Sequence, residues 1–266
     1  MLTDFSGKTV VVTGGASGIG AALVGRFVAQ QAQVVVFDLN EALPDTCHGS
    51  EIIQCDVTDE IALEAAIEYV EKTYGAIDIF VSNAGVLSDQ PGHAASATND
   101  HWARCMAVNV MAHVFAARCL LPKMIARGGG HFVTVASAAG LLNQIGDAAY
   151  SASKHAAVSF AESLAITHAQ DGITVTLACP QYVATPMLRL DDAAAKHHAG
   201  LLTADEVAVS ILTAVQDRRF LVLPHEQVAT YVGLRATEHD RWIAGMVKLK
   251  ARLVGKAGPM DMYRLI

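Results

Sequence analysis

No two of the five cysteines form a C-x-x-C pair, and five is an odd number, so Cys47, Cys55, Cys105, Cys119 and Cys179 lay out neither a disulfide framework nor a zinc knuckle. Set mostly among apolar neighbours, they read as reduced core thiols of a cytoplasmic protein. The eleven histidines include no H-x-x-x-H spacing, and the adjacent His197 and His198 diverge on a helix, so no metal site is expected. Basic side chains are outnumbered, 19 against 26 acidic ones for a net charge of −7, which offers no general attraction to nucleic acid or an anionic membrane. No stretch of about 18 residues runs free of charged or strongly polar groups, as a spanning helix would need. No basic segment followed by an apolar one precedes the first strand-like run, and a secretory leader is not expected. Linkers, internal repeats and low-complexity tracts are also missing. What is there is a chain of 266 residues, 52% hydrophobic and 17% charged, expected to form one soluble domain with a substantial core.

Short β-branched runs alternate with longer helical patterns. The runs are TVVVT (9–13), QVVVFD (33–38), EIIQCD (51–56), DIFVSN (78–83), HFVTVAS (131–137), ITVTLAC (173–179) and RFLVLP (219–224). Most are nearly continuous in apolar residues, as strands buried on both faces are. Segments 18–31, 59–74, 99–126, 148–170 and 203–217 carry helical spacing and cap signals, including a capping box from Thr203 to Glu206. The pattern predicts seven strands in a doubly wound, mainly parallel α/β sheet, with ligands bound beyond the carboxyl ends of the strands.

TGGASGIG, residues 13–20, follows the first strand and opens a helix. Such a turn lets backbone approach a pyrophosphate, while the helix N-terminus offers free N–H donors and a positive dipole; it also simply closes tight strand-to-helix connections. Asp38 ends the second strand about 20 residues on, where a carboxylate accepts hydrogen bonds from ribose hydroxyls and repels a 2′-phosphate. It also fits a strand-end cap. No arginine or lysine occupies the glycine loop or position 39, which favours NAD over NADP. In AAYSASKHAAV, residues 148–158, Tyr150 and Lys154 stand one helical turn apart on one face, among small neighbours that leave the space around them open. Alone, that spacing also fits a surface helix whose lysine covers a half-buried tyrosine.

Together these motifs, in this order over residues 5–225, resemble the short-chain dehydrogenase/reductase family in its compact subfamily, with a Rossmann-type fold. The resemblance implies that Gly14, Ser17, Gly18, Ile19 and Gly20 form the phosphate loop and that Asp38 holds the adenosine ribose. It assigns Asp56 and Val57 to adenine, Asn83, Ala84 and Gly85 to the segment steadying sheet and cofactor, and Pro180, Val183 and Thr185 to the nicotinamide side. Asn109 is similar to the family's helix asparagine that holds a proton-relay water; Ser137, Tyr150 and Lys154 match the catalytic serine and the Y-x-x-x-K pair. The chemistry is coherent, because alcohol oxidation needs a base for the hydroxyl proton near a hydride acceptor. A phenol with an ordinary pKa near 10 is poorly matched to neutral pH, and a neighbouring ammonium together with the positive charge of oxidised nicotinamide is expected to lower it. One departure stands out: Gln181 follows Pro180 where the family usually has glycine, so its carboxamide is expected to reach either substrate or a loop carbonyl.

The walls expected to face substrate are 86–97, 138–147 and the loop from 181 to about 200. Leu141, Leu142, Tyr182, Val183, Met187 and Leu188 make them mostly apolar, with Asn143, Gln144, Asp147 and Gln181 as polar candidates, though Asp147 is better placed to cap the Tyr150 helix than to bind a ligand. A hydrophobic secondary alcohol or its ketone fits such walls. The alternatives are an NADPH-dependent 3-oxoacyl reductase and a regulator that senses NAD without turnover. Residues 225–253 read as an added C-terminal helix whose stripe of Trp242, Met246, Leu249 and Leu253 fits core packing, a lid or a subunit contact. A homo-oligomer, a tetramer by the family resemblance, is expected, with Ala149, Ala152, Ala156 and Ala157 admitting a partner helix.

Overall fold

The protein is described here by a computed structural model covering residues 5–87, 92–195, 198 and 200–253, with the side chain of Leu253 outside the description. His197 and the part of the expected 86–97 wall at 88–91 also lie outside it. In chain order the elements are β1 (Thr9–Thr13), α1 (Gly18–Ala29), β2 (Gln33–Asp38), β3 (Glu51–Gln54), α2 (Glu60–Tyr74), β4 (Ile79–Ser82) and α3 (Asn99–Met106). They continue with α4 (Ala112–Ala126), β5 (Gly130–Val135), α5 (Ala148–Thr167), β6 (Ile173–Ala178), β7 (Tyr182–Ala184), α6 (Asp192–Ala195), β8 (Leu201–Thr203), α7 (Ala204–Gln216), β9 (Leu221–Val222), α8 (Gln227–Thr237) and α9 (His239–Leu253).

Seven of the strands form one sheet in the order β3-β2-β1-β4-β5-β6-β9, and every pairing in it is parallel. The apolar runs explain why: successive side chains point to opposite faces, so a strand such as VVV at 10–12 feeds both at once. Val11, Val35, Phe37, Phe80 and Phe132 pack on one side with α2, α4 and α5. Val10, Val12, Val34, Val36 and Val81 pack on the other with α1 and α7. The order reverses between β1 and β4, and the crevice at that switch point is where ligands bind in sheets of this kind.

Three expectations need correction and one element was not expected. The run 219–224 contributes only Leu221 and Val222 to the sheet, because one face of β9 is open and Leu221 is exposed. The helical run 99–126 is interrupted by a π turn at Ala107–Met111; by length and composition the whole run could cross a membrane, but here Ala116, Ala117, Leu120 and Met124 pack against the sheet. The added C-terminal helix is two helices, α8 and α9, parted at Glu238, whose φ of −134° leaves the helical region. Finally, β7 and β8 form a separate two-stranded parallel sheet, Tyr182 opposite Leu201 and Ala184 opposite Thr203, that the sequence reading did not contain. The capping box survives as expected, with the Thr203 hydroxyl accepting from Glu206 N and the Glu206 carboxylate accepting from Thr203 N.

Candidate active site

Beyond the carboxyl ends of β1, β2, β4, β5 and β6 lies a cavity of about 990 Å³. Its walls bring together Gly14, Ser17, Gly18, Ile19, Asp38, Asp56, Val57, Asn83, Ala84, Gly85, Ser137, Tyr150, Lys154, Pro180, Val183 and Thr185, residues that the sequence spreads over 170 positions.

At the β1 end, Gly14 has φ +64°, a conformation that side chains resist. Gly20 lies behind the wall rather than on it: a Cβ there would stand 2.2 Å from the Gly14 carbonyl oxygen and 2.5 Å from the Asn83 amide nitrogen. Its bareness is what lets Asn83 reach across, where Nδ2 donates to the carbonyls of Thr13 (2.9 Å) and Gly14 (3.0 Å). Ser17 precedes α1 without capping it, and the first turn of α1 holds no acidic residue, so the helix presents its N–H groups and dipole to the cavity. A Cβ on Gly18 would touch the Thr185 methyl at 3.1 Å, which places Thr185 over this turn. The Asp38 carboxylate accepts from Ala16 N (3.0 Å) and from the backbone and side chain of Asn40 (3.0 and 2.9 Å); it is both cap and cavity wall. Asp56 accepts from the Thr58 backbone and hydroxyl while remaining exposed.

At the other end Asp147 caps α5, accepting from Tyr150 N at 3.0 Å. That helix start fixes Tyr150 and Lys154, both buried. The Lys154 Nζ donates to the Val135 carbonyl at 3.2 Å, and a Cβ on Gly85 would come within 3.4 Å of it. Ser137, at the end of β5, accepts from Ala139 N at 3.1 Å. Burial pushes the Tyr150 phenol up to about 12, with the Ser137 hydroxyl acting in the opposite direction. Burial also weakens the neighbouring ammonium, lowering Lys154 to about 8. Asn109 does not line the cavity: its Oδ1 accepts from Val86 N (2.9 Å), and its Nδ2 donates to Val86 O (3.0 Å) and Ser153 Oγ (2.9 Å). Its side chain therefore straps the π turn to the β4 loop and to α5.

A second cavity, about 380 Å³, adjoins the first and shares Ser137, Gln144, Gln181 and Tyr182 with it. Leu142, Asn143, Trp242, Met246 and Leu249 line it, so α9 supplies one wall. Met187 lines only the first. Leu141 lines neither and packs among Leu223, Val228 and Trp242, whereas its neighbour Leu142 lines the second cavity.

Gln181 carries a residue that sequence reading missed. Its backbone N–H donates to Nδ1 of the buried His225 at 3.1 Å, and Nε2 of the same ring bonds the Tyr182 carbonyl at 2.9 Å. The Gln181 carboxamide oxygen accepts from Gln227 Nε2 at 3.2 Å, so it reaches α8 rather than a loop carbonyl. A single histidine after a short strand gives no signal of this in the sequence.

The short chain dehydrogenase family pattern matches residues 8–196. Momilactone A synthase of Oryza sativa subsp. japonica is 32% identical over 79% of this chain and 84% of its own. The mitochondrial borneol dehydrogenase of Lavandula x intermedia is 33% identical over 85% and 90%. Among solved structures, a short chain dehydrogenase/reductase from Burkholderia phymatum in complex with NAD superposes with a TM-score of 0.80 at 28% identity, covering 89% of this chain and 95% of that one. With the parallel sheet, the bare glycine turn and the buried tyrosine and lysine on one cavity wall, these likenesses establish that the chain belongs to the short-chain dehydrogenase/reductase family, oxidoreductases that use a nicotinamide cofactor.

Proposed function

We propose that the protein interconverts an apolar secondary alcohol and its ketone with NAD. The observation that carries this reading is the meeting of Ser137, Tyr150 and Lys154 on the wall of the cavity that also holds the glycine turn and Asp38. The cavity suits a dinucleotide: bare Gly14 and Gly20 let the turn pack tightly against Ala84 and Asn83, and the uncapped start of α1 suits a pyrophosphate. Bound nicotinamide supplies the hydride acceptor or donor and, when oxidised, a positive charge. The chain's own residues do the rest. Tyr150 takes the hydroxyl proton in oxidation and returns it in reduction; Ser137 orients the substrate oxygen; Lys154, fixed on the Val135 carbonyl, keeps positive charge beside the phenol.

Asp38, followed by Leu39 rather than a cation, supports NAD, as does the NAD complex of the structural neighbour. The apolar second cavity and a relative named for borneol support a hydrophobic alcohol. We infer a homo-oligomer as well. Ala149 and Ala157 are fully buried inside the protomer and cannot receive a partner, whereas Ala152 and Ala156 keep exposure and Ile166 is 80% exposed on the same helix. The five unpaired thiols fit a reducing cytoplasm.

Nicotinamide absorbance, followed with NAD and NADP against a panel of alcohols and ketones, tests the reading. Oxidation with NAD is expected. Reduction with NADPH alone would assign a 3-oxoacyl-type reductase, and tight NAD binding without turnover a sensor.

A further inference from the structure

The loop that divides the two cavities is held from behind by one imidazole. Gln181 and Tyr182 line both cavities, and the carbonyl of the preceding Pro180 accepts from Ala138 N at 2.8 Å, next to Ser137. Val183 and Thr185, on the first cavity wall, follow directly. The position of this loop therefore sets the wall facing Ser137 and the start of the wall facing the glycine turn.

We propose that His225 is a positioning residue for the reaction: joined to the backbones of Gln181 and Tyr182, it keeps this loop in the shape that turnover requires, and does so only as a neutral ring. The inference rests on the alcohol–ketone reading above for its activity assay, and on hydrogen-bond chemistry for its protonation state. A backbone N–H only donates, so Nδ1, 3.1 Å from Gln181 N, carries no proton; a backbone carbonyl only accepts, so Nε2, 2.9 Å from Tyr182 O, carries one. The ring is the Nε2–H tautomer. A second proton would set Nδ1–H against Gln181 N–H in a site closed to water, and one of the two would have to move.

The surroundings hold the ring neutral. Burial disfavours the imidazolium and outweighs both the Tyr182 carbonyl and Glu206 of α7, which favour it, so the pKa lies below the ordinary histidine value. The Tyr182 phenol, raised to about 12 by burial, carries no charge, and Glu226, the next residue in the chain, is exposed. Since the folded pKa is depressed, the clamp is intact above the ordinary value of 6.5 and is lost as pH falls through the folded one. Glutamine at 181 belongs to the same device, because its side chain adds a second tie to α8 through Gln227.

Ketone reduction with NADH, measured on the full-length protein from about pH 8 down to about pH 5, tests the proposal. In that direction Tyr150 must carry its proton, and acid keeps it there, so a fall in rate does not arise from Tyr150. The wild type should lose kcat/KM toward acid, approaching about 10-fold for each pH unit below the folded value. H225N, whose carboxamide oxygen accepts from Gln181 N–H at every pH, should stay within about 2-fold across the range. H225A should be slower at all pH values, by about 10-fold. Hydrogen exchange at the Gln181 amide gives a readout independent of turnover: its protection factor should collapse in acid in the wild type and persist in H225N. Parallel pH profiles for wild type and H225N, or an acid-insensitive Gln181 amide in the wild type, would overturn the proposal. Absence of turnover with any ketone would instead overturn the alcohol–ketone reading, leaving the exchange measurement to decide the role of the clamp.

Discussion

The Lys154 ammonium is 5.8 Å from the centre of the Tyr150 ring and donates to the Val135 carbonyl at 3.2 Å. Burial keeps the Tyr150 phenol neutral and opposes the Lys154 ammonium. The discomfort in the pair lies with the buried ammonium.

Removing that discomfort should show as stability. Lys154→Met keeps the stem and discards a buried charge, so the cofactor-free protein should melt higher, by about 2–4 °C for each kcal/mol gained, while turnover disappears. Since the folded pKa of Lys154 is lowered to about 8, the wild type pays its penalty fully below pH 8 and progressively less above it, and the gap between the two melting curves should narrow in alkali. Tyr150→Phe should lower kcat by about 10²–10⁴-fold with NAD affinity nearly unchanged. Equal melting temperatures at every pH, or brisk turnover in the phenylalanine variant, would contradict these expectations.

Cofactor choice should follow Asp38. Its carboxylate already holds Ala16 N and Asn40, so Asp38→Ala alone should weaken NAD binding as well as relax the preference. Asp38→Ala combined with Leu39→Arg should move the NADP to NAD ratio of kcat/KM upward by about 10–100-fold, the worth of one charge-assisted hydrogen bond. A wild type indifferent to the two cofactors at subsaturating levels would refute the role of Asp38.

Two glycines should respond differently to a single methyl group. At Gly20 a Cβ meets backbone and the Asn83 amide at 2.2–2.5 Å, so Gly20→Ala should destabilise by about 1–3 kcal/mol and weaken NAD binding more than 10-fold, roughly what a 1 Å misplacement of a binding group costs. Gly7 also has positive φ but nothing within 4 Å; Gly7→Ala should cost about 1 kcal/mol and leave cofactor affinity alone. Urea melts and NAD titrations of both variants separate the two effects.

Acid should unfold the protein through its interior histidines. His113 and His131 are buried, and burial lowers each to about 3. Stability from the neutral rings is complete above 6.5 and is lost as pH falls toward 3. Neither ring nitrogen of His113 has a partner among the described residues, so His113→Leu should melt at or above the wild type at pH 7 and lose less on acidification. An unchanged pH dependence would count against it.

The sheet was legible because its strands are buried on both faces, and a run such as QVVVF has few other places to be. The glycine turn, Asp38 and the Tyr150 and Lys154 pair were legible for a related reason: each must satisfy backbone and spacing rules local to a few residues. What escaped is nonlocal. The β7 and β8 pair joins residues 19 apart around a loop whose sequence has no strand alternation. The His225 clamp depends on where β9 ends, which local pattern placed two residues too late. The depth at which Tyr150 and Lys154 lie was not legible, because spacing shows a neighbour and says nothing of how much water the pair has lost.

The small β7 and β8 sheet ties the feet of the loop over the cavity to each other. A loop whose ends are fastened in this way has already met its closure requirement, and lengthening it costs only a slow logarithmic increment. Residues between those feet can thus be inserted, deleted or exchanged while the seven-stranded sheet and the glycine turn keep their registers. The mouth of the cavity is the part of this molecule free to diverge, and a new substrate can be accommodated there without rebuilding the machinery beneath it.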